Sequence, residues 1–181
     1  TLRILYLINY AGKAGTEKYV ENLVRIFSAA GNECHFAYNI AGELSEEMAA
    51  RGVPCLQLDL AGSPTAAAKV LAAYCREHKI EVIHAQYPRE NIIALLSLRH
   101  YAAPRVVYTN HLTIRSGLKW RVLNRIFTPR DHRIIAVCRE GRDIMVQNGV
   151  CPERIEVIYN GVEPEKYPVR DMSVRPELGI G

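Results

Sequence analysis

Short apolar runs alternate along the chain with longer segments in which apolar residues recur at helical spacing. Seven runs read as strands: Leu2 to Asn9, Glu33 to Ile40, Val53 to Leu58, Ile80 to Gln86, Arg105 to Thr109, Arg133 to Cys138 and Arg154 to Tyr159. Between the first two, Val20, Leu23, Val24 and Phe27 fall at i, i+3, i+4 and i+7, which is one face of a helix, and Gly31 stands where a glycine would end it. Ser63 and Pro64 supply an N-cap and a first-turn proline ahead of a second stripe, Ala67, Val70, Leu71 and Tyr74. Ile92, Ile93, Leu95 and Leu96 are apolar on more than one side, which predicts a buried helix. This alternation predicts an α/β domain, doubly wound around a mostly parallel sheet of about seven strands. The pattern stops after Val162. Glu163 to Arg170 is spaced by prolines and has no period, so residues 163–181 read as a linker behind a domain of residues 1–162.

Composition narrows the class. The 181 residues are 49% hydrophobic and 23% charged, the balance of a packed soluble domain. No apolar run approaches the roughly 18 residues of a spanning helix, and Thr1 to Ile8 lacks the cleavage pattern of a secretory signal. A net charge of +4 is too mild to demand a nucleic-acid partner. Cys34, Cys55, Cys75, Cys138 and Cys151 are odd in number and contain no C-x-x-C pair. They read as reduced core thiols of a cytoplasmic protein, not as a disulfide framework or a zinc site. The total charge hides an asymmetry, because Ser97 to Arg142 carries ten bases and two acids, +8, which leaves −4 for the rest. Within it, Leu118, Val122, Leu123, Ile126 and Phe127 form one helix face, with Lys119, Arg121 and Arg125 outside it and Trp120 at the border. Such a helix either packs on its sheet with a solvated basic face or rests on anionic lipid headgroups.

In open parallel sheets ligands bind beyond the carboxyl ends of the strands, so the residues after each strand carry the chemistry. After the first strand, Gly12 and Gly15 let the backbone turn tightly and bring helix-start amides to a ligand, although a plain tight turn would use the same glycines. The dinucleotide fingerprint G-x-G-x-x-G is not met, and the second strand ends His35-Phe36-Ala37-Tyr38-Asn39, without an acid for a ribose. An ATPase loop fails too, since Glu17 would set a carboxylate among phosphates and Tyr19 cannot hold Mg²⁺. At the fourth strand end, alternation points His84 and Gln86 to the same side. His84 is either a satisfied core histidine or a ligand group; Gln86, Arg89 and Glu90 sit nearer the rim, as ligand contacts or as solvated residues. At the fifth, Thr109-Asn110-His111 presents an imidazole that titrates near neutral pH. With no G-x-S-x-G and no H-E-x-x-H, His111 reads as a binding or orienting residue, and no metal site is predicted.

Taken in order, these loops resemble the N-terminal domain of glycosyltransferase family 4, retaining enzymes of the GT-B fold. Ala14-Gly15-Thr16-Glu17 is similar to the family's G-G-x-E element, with alanine at its first glycine. Ile83-His84-Ala85-Gln86 is similar to V-H-x-H, with glutamine at the second histidine, and Thr109-Asn110-His111 to T-x-H. Ile135 to Glu140 and Ile155 to Glu163 resemble the A-V-S and V-I-x-N-G-V-D run, with Cys138 for serine and Glu163 for aspartate. The resemblance implies a Rossmann-like, acceptor-binding half of a GT-B enzyme. An interdomain linker would follow it, then a nucleotide-sugar domain that this chain lacks, since no two glutamates are spaced as the family's E-x7-E.

It also implies transfer of a hexose, with retention, from a nucleotide-diphosphate sugar to an acceptor hydroxyl of a glycolipid or polysaccharide precursor. No metal or cofactor beyond the donor is expected, and the isolated domain should be inactive. His111 would be the catalytic residue. Gly15, Thr16, His84, Gln86, Arg89, Glu90 and Asn110 would bind donor or acceptor. The partners implied are a nucleotide sugar and a sugar or lipid-linked acceptor, with peripheral contact to the inner face of an anionic membrane through residues 115–133. Half of a nucleotide-sugar epimerase of the same fold and a non-catalytic sugar- or nucleotide-binding module are the other readings.

Overall fold

The computed structural model describes residues 1–161; the predicted linker, 163–181, lies outside the described residues. The elements are β1 (Arg3–Tyr10), α1 (Gly15–Ala29), β2 (Glu33–Ile40), α2 (Glu43–Ala50), β3 (Cys55–Gln57), α3 (Pro64–Glu77), β4 (Val82–Ala85), α4 (Pro88–Ser97), β5 (Arg105–Asn110), α5 (Leu118–Phe127), β6 (Arg133–Ala136), α6 (Arg139–Gln147) and β7 (Ile155–Val157). The strands form one parallel sheet in the order β3-β2-β1-β4-β5-β6-β7. It is a Rossmann-like α/β fold. The chain runs outward from β1 to β3 and then returns to the other side of β1 for β4, so a crevice opens beyond the carboxyl ends of β1 and β4.

Both sheet faces are covered, which is why the strands read as near-continuous apolar runs. Along β1 the side chains divide by alternation. Leu5 and Leu7 join Leu71, Ile83 and Ile93 in one core, while Ile4, Tyr6 and Ile8 join Val20, Val24, Phe36 and Met48 in the other. A smaller core of Tyr108, Ile134, Met145, Val150 and Ile155 serves the β5 to β7 side. Four strands are shorter than their apolar runs predict, but the ladder continues past them through single bonds such as Gln86 N–H to Leu7 O at 3.2 Å and Ile158 N–H to Ala136 O at 3.0 Å.

Local signals act as their chemistry suggests. Gly31 follows α1 with φ 82, a conformation that favours glycine, and the Ser63 hydroxyl caps α3 by accepting from Ala66 N–H at 3.4 Å. Phe27 and Val70 depart from the predicted faces; both are exposed, because they sit at the margins of stripes whose burial is carried by Val20, Val24, Ala67 and Leu71. Helix α2 has no counterpart in the apolar pattern. Only Leu44 and Met48, one turn apart, are its large buried apolar residues, too few for a periodic signal.

The cysteines divide. Cys34 and Cys75 are buried, but Cys55, Cys138 and Cys151 are only half-buried, so a core location holds for two of the five. Cys138 takes the place of a capping serine: its Sγ accepts from Gly141 N–H at 3.2 Å at the start of α6.

Helix α5 overturns the packing expected of its apolar face. Trp120, Leu123 and Phe127 are half-buried and Asn124 is buried, whereas Leu118, Val122 and Ile126 are exposed to 75%, 48% and 51%. The helix therefore carries two apolar stripes, and the domain covers one. The covered side is pinned by polar bonds: Asn124 Nδ2 donates to Asn148 O, at the end of α6, at 2.9 Å, and the Thr128 hydroxyl donates to Asn124 O at 2.7 Å. At the helical pitch, Lys119 flanks the exposed stripe on one side and Arg121 and Arg125 on the other.

Candidate active site

The first loop leaves β1 at Ala11, whose N–H donates to Ile40 O and whose carbonyl accepts from Leu44 N–H, both at 2.9 Å. These bonds lash the loop to the start of α2. Gly42 sits so close that an added Cβ would stand 2.7 Å from Ala11 O. Ala14 then opens α1 without a side-chain cap, and the first helical bond runs from Lys18 N–H to Ala14 O. The amides of Gly15, Thr16 and Glu17 thus have no intrahelical acceptor and form a positive helix end. Gly15 is exposed, with nothing within 4 Å of where its Cβ would be. Thr16 is buried, its hydroxyl accepting from the Tyr87 hydroxyl at 2.8 Å.

The ends of β4 and β5 carry a second set of bonds. His84 is buried against Tyr6 and Tyr19, ring centroids 5.6 and 6.4 Å away, and its Nε2 meets the Thr109 hydroxyl at 2.8 Å. Gln86 is 0% exposed; its amide Nε2 donates to the His84 carbonyl at 3.2 Å and its Oε1 lies 3.0 Å from His111 Nε2. The His111 ring stands edge-on to Tyr19, 5.0 Å between centroids, with Tyr87 at 6.0 Å. Burial depresses both imidazoles, that of His84 to about 3, with the proximity of His111 adding to the effect, and that of His111 to about 4. Both are neutral at pH 7.

Several predicted contacts take other places. Gln86 is not a rim residue but a fully enclosed one. Glu90 is also buried, in the first turn of α4. Burial raises its carboxyl to about 7, and its Oε1 has no hydrogen-bond partner among the described residues. Arg89 caps the segment before α3, donating to the carbonyls of Leu60, of Ala61 at 2.9 Å and of Gly62 at 2.8 Å, and it remains in the wall of the crevice beside Tyr87. Asn110 shapes the loop that carries His111: its Oδ1 accepts from the Tyr108 hydroxyl at 3.1 Å and from Leu112 N–H at 3.3 Å, and its Nδ2 donates to Leu112 O at 2.8 Å. Beneath them Asp131 accepts from Asn91 Nδ2 at 2.9 Å, and burial lifts its carboxyl to about 8.

Gly15, Thr16, His84, Gln86 and His111 therefore converge around one crevice, with Tyr19, Tyr87 and Thr109 tying them together. Tyr19 is hidden in the sequence because it sits beside the Val20 stripe of α1, and only the reach of its side chain to His84 on β4 and Thr109 on β5 gives it a role. Tyr87 is the wall between two cavities. One, of about 510 Å³, lies over the ends of β1 and β2 and includes Asn9, Asn39 and Glu17; the other, of about 370 Å³, runs beside Asn110, Leu112, Trp120 and Met145 toward α5.

The fold is shared with known proteins. Anabaena HepE, solved in complex with UDP-glucose, superposes with a TM-score of 0.77 at 16% identity, over 99% of this chain and 50% of that one. A glycosyltransferase from Rickettsia africae superposes equally well, at 13% identity and with the same coverage. A UDP-N-acetylglucosamine 2-epimerase from Listeria monocytogenes, described as putative, aligns at a TM-score of 0.59 and 9% identity, over 85% of this chain and 43% of its own. The chain spans about half the length of these structures. No curated protein matches it. The model of Glycosyltransferase Family 4 matches residues 14–166, from the amide-presenting start of α1 through β7, and the chain belongs to that family.

Proposed function

We propose that this chain is the acceptor-side half of a retaining glycosyltransferase, which moves a hexose from a nucleotide-diphosphate sugar to a hydroxyl of a glycolipid or polysaccharide precursor. The observation that carries the reading is the convergence of the free α1 amides and the His111 imidazole on the one crevice where an open parallel sheet takes ligands. An uncapped helix start suits a diphosphate. A neutral imidazole walled by Tyr19 and Tyr87 suits a sugar hydroxyl, and His111 is the catalytic residue of this reading. The nucleotide sugar is consumed as a substrate, and no cofactor is assigned to this chain.

In a protein that joins this chain to a nucleotide-sugar domain, His111→Ala should lower sugar transfer by about 100-fold, the scale of losing one group that acts at the transition state. Unchanged turnover would remove His111 from the chemistry. The likeness to the Listeria protein supports an epimerase half as the second reading, and conversion of a nucleotide sugar without any acceptor would favour it.

The same reading sets the protein on the inner, anionic face of a membrane. The exposed stripe of Leu118, Val122 and Ile126 between Lys119, Arg121 and Arg125 has the form of a helix lying in a lipid interface. No helix among the described residues is long and apolar enough to cross one. Sedimentation with phosphatidylserine vesicles should retain the protein at low salt and release it when Val122 becomes Asp. Retention that ignores lipid charge, salt and this substitution would refute the contact.

A further inference from the structure

The hydrogen bonds around Gln86 fix more than its own position. Its amide nitrogen donates to the His84 carbonyl, and rotating the amide by half a turn would set oxygen against oxygen there. The side chain is fully buried, so the reversed arrangement would face two oxygens toward each other out of contact with bulk solvent. The group facing His111 Nε2 at 3.0 Å is therefore Oε1, which can only accept, and the proton must sit on Nε2. That leaves Nδ1 of His111 with a lone pair, and among the described residues no donor is bonded to it. The rings of Tyr19 and Tyr87 hold the imidazole plane, so the lone pair has a fixed direction.

We propose that Gln86 is a positioning residue that locks His111 in its Nε2–H tautomer, so that Nδ1 acts in the crevice as a hydrogen-bond acceptor for a hydroxyl-bearing ligand. The group captured there must donate: a sugar or acceptor hydroxyl fits, while a carbonyl or phosphate oxygen does not. The histidine that family 4 carries at position 86 can donate or accept from its ring, so it would not impose one tautomer. The inference rests on the proposed function only for the identity of the hydroxyl; the tautomer is a property of this chain by itself.

Long-range ¹H–¹⁵N spectra of the imidazoles at pH 7, with the His111 signals assigned by their loss in His111→Asn, read the tautomer directly. The unsubstituted protein should show predominantly Nε2–H. Gln86→Met keeps the bulk and removes the acceptor, and should give a mixture of both tautomers; Gln86→Glu keeps an acceptor oxygen and should restore Nε2–H. A merely space-filling role for Gln86 would leave the Met variant unchanged. That result, or an Nδ1–H tautomer in the unsubstituted protein, which needs no variant to fold, overturns the proposal. If the tautomer is as stated but His111→Ala transfers sugar normally in the longer protein, the assignment of Gln86 stands and the catalytic role of His111 falls.

Discussion

At the crevice the polar residues are inside, and on α5 the apolar residues are outside. His84, Gln86, Glu90, Asn91, Thr109 and Asp131 are all buried, while Leu118, Val122 and Ile126 are exposed. Each arrangement reverses the usual sorting of side chains, and the two are stabilised differently. The crevice groups lie over fully covered sheet faces, most of them joined by hydrogen bonds such as His84–Thr109, Gln86–His111 and Asn91–Asp131, so they depend on the core beneath them. The α5 stripe depends on nothing in this domain, and its helix is anchored from the other side by Asn124 and by Trp120, Leu123 and Phe127. Burial of these polar residues depends on the fold around them; exposure of the apolar row shows a surface that the domain does not cover.

The widest test of that contrast is mechanical. Ile83 is fully buried beneath the crevice, and Ile83→Ala should cost about 2 to 5 kcal/mol in chemical denaturation. A cost below about 1 kcal/mol would mean that the crevice does not lean on this core.

Acidity gives a second, smaller effect. His84 and His111 bind protons more weakly when folded, so stability from these groups is lost as pH falls below the unfolded histidine value of about 6.5. Glu90 and Asp131 hold their protons to about 7 and about 8, whereas unfolded carboxyls release theirs near about 4, so stability from these groups is lost as pH rises between those limits. The opposing slopes offset each other from about pH 4 to 6.5 and leave the carboxyls alone above it. Denaturation midpoints should therefore fall from pH 6.5 to 8, by at most about 1.4 kcal/mol per pH unit for each group, and Asp131→Asn should flatten the decline. A midpoint that climbs over this range would contradict the buried, protonated carboxyls.

The smallest effect belongs to α5. Val122→Ser should change stability by no more than about 0.5 kcal/mol, because the side chain is already half in solvent. A loss as large as that of Ile83→Ala would show that the stripe is packed within this chain.

The sequence is informative about the two regions to different degrees, for physical reasons. Strand alternation and the capping residues Gly31 and Ser63 are local, and they act in the fold as they read in the sequence. The strand-end placement of Gly15, Gln86 and His111 was legible because the topology of parallel sheets puts their carboxyl ends together. What was hidden depends on distant partners. How Arg89 lies in the crevice wall is decided by the three carbonyls from Leu60 to Gly62. The inward turn of Glu90 likewise requires knowing what covers α4. Helical periodicity identified α5 but not that its apolar face would divide into a covered and an exposed stripe.

The contact between Gly42 and the first loop also divides that loop by its tolerance for change. Where Ala11 and Gly42 meet the backbones touch, and position 42 has no room for even a methyl group, so this contact is closed to variation at Gly42. Four residues on from Ala11, Gly15 has open space around it. A library randomised over Lys13 to Gly15 would explore new ligand contacts on an unchanged hinge, whereas one randomised at position 42 would mostly sample broken frames.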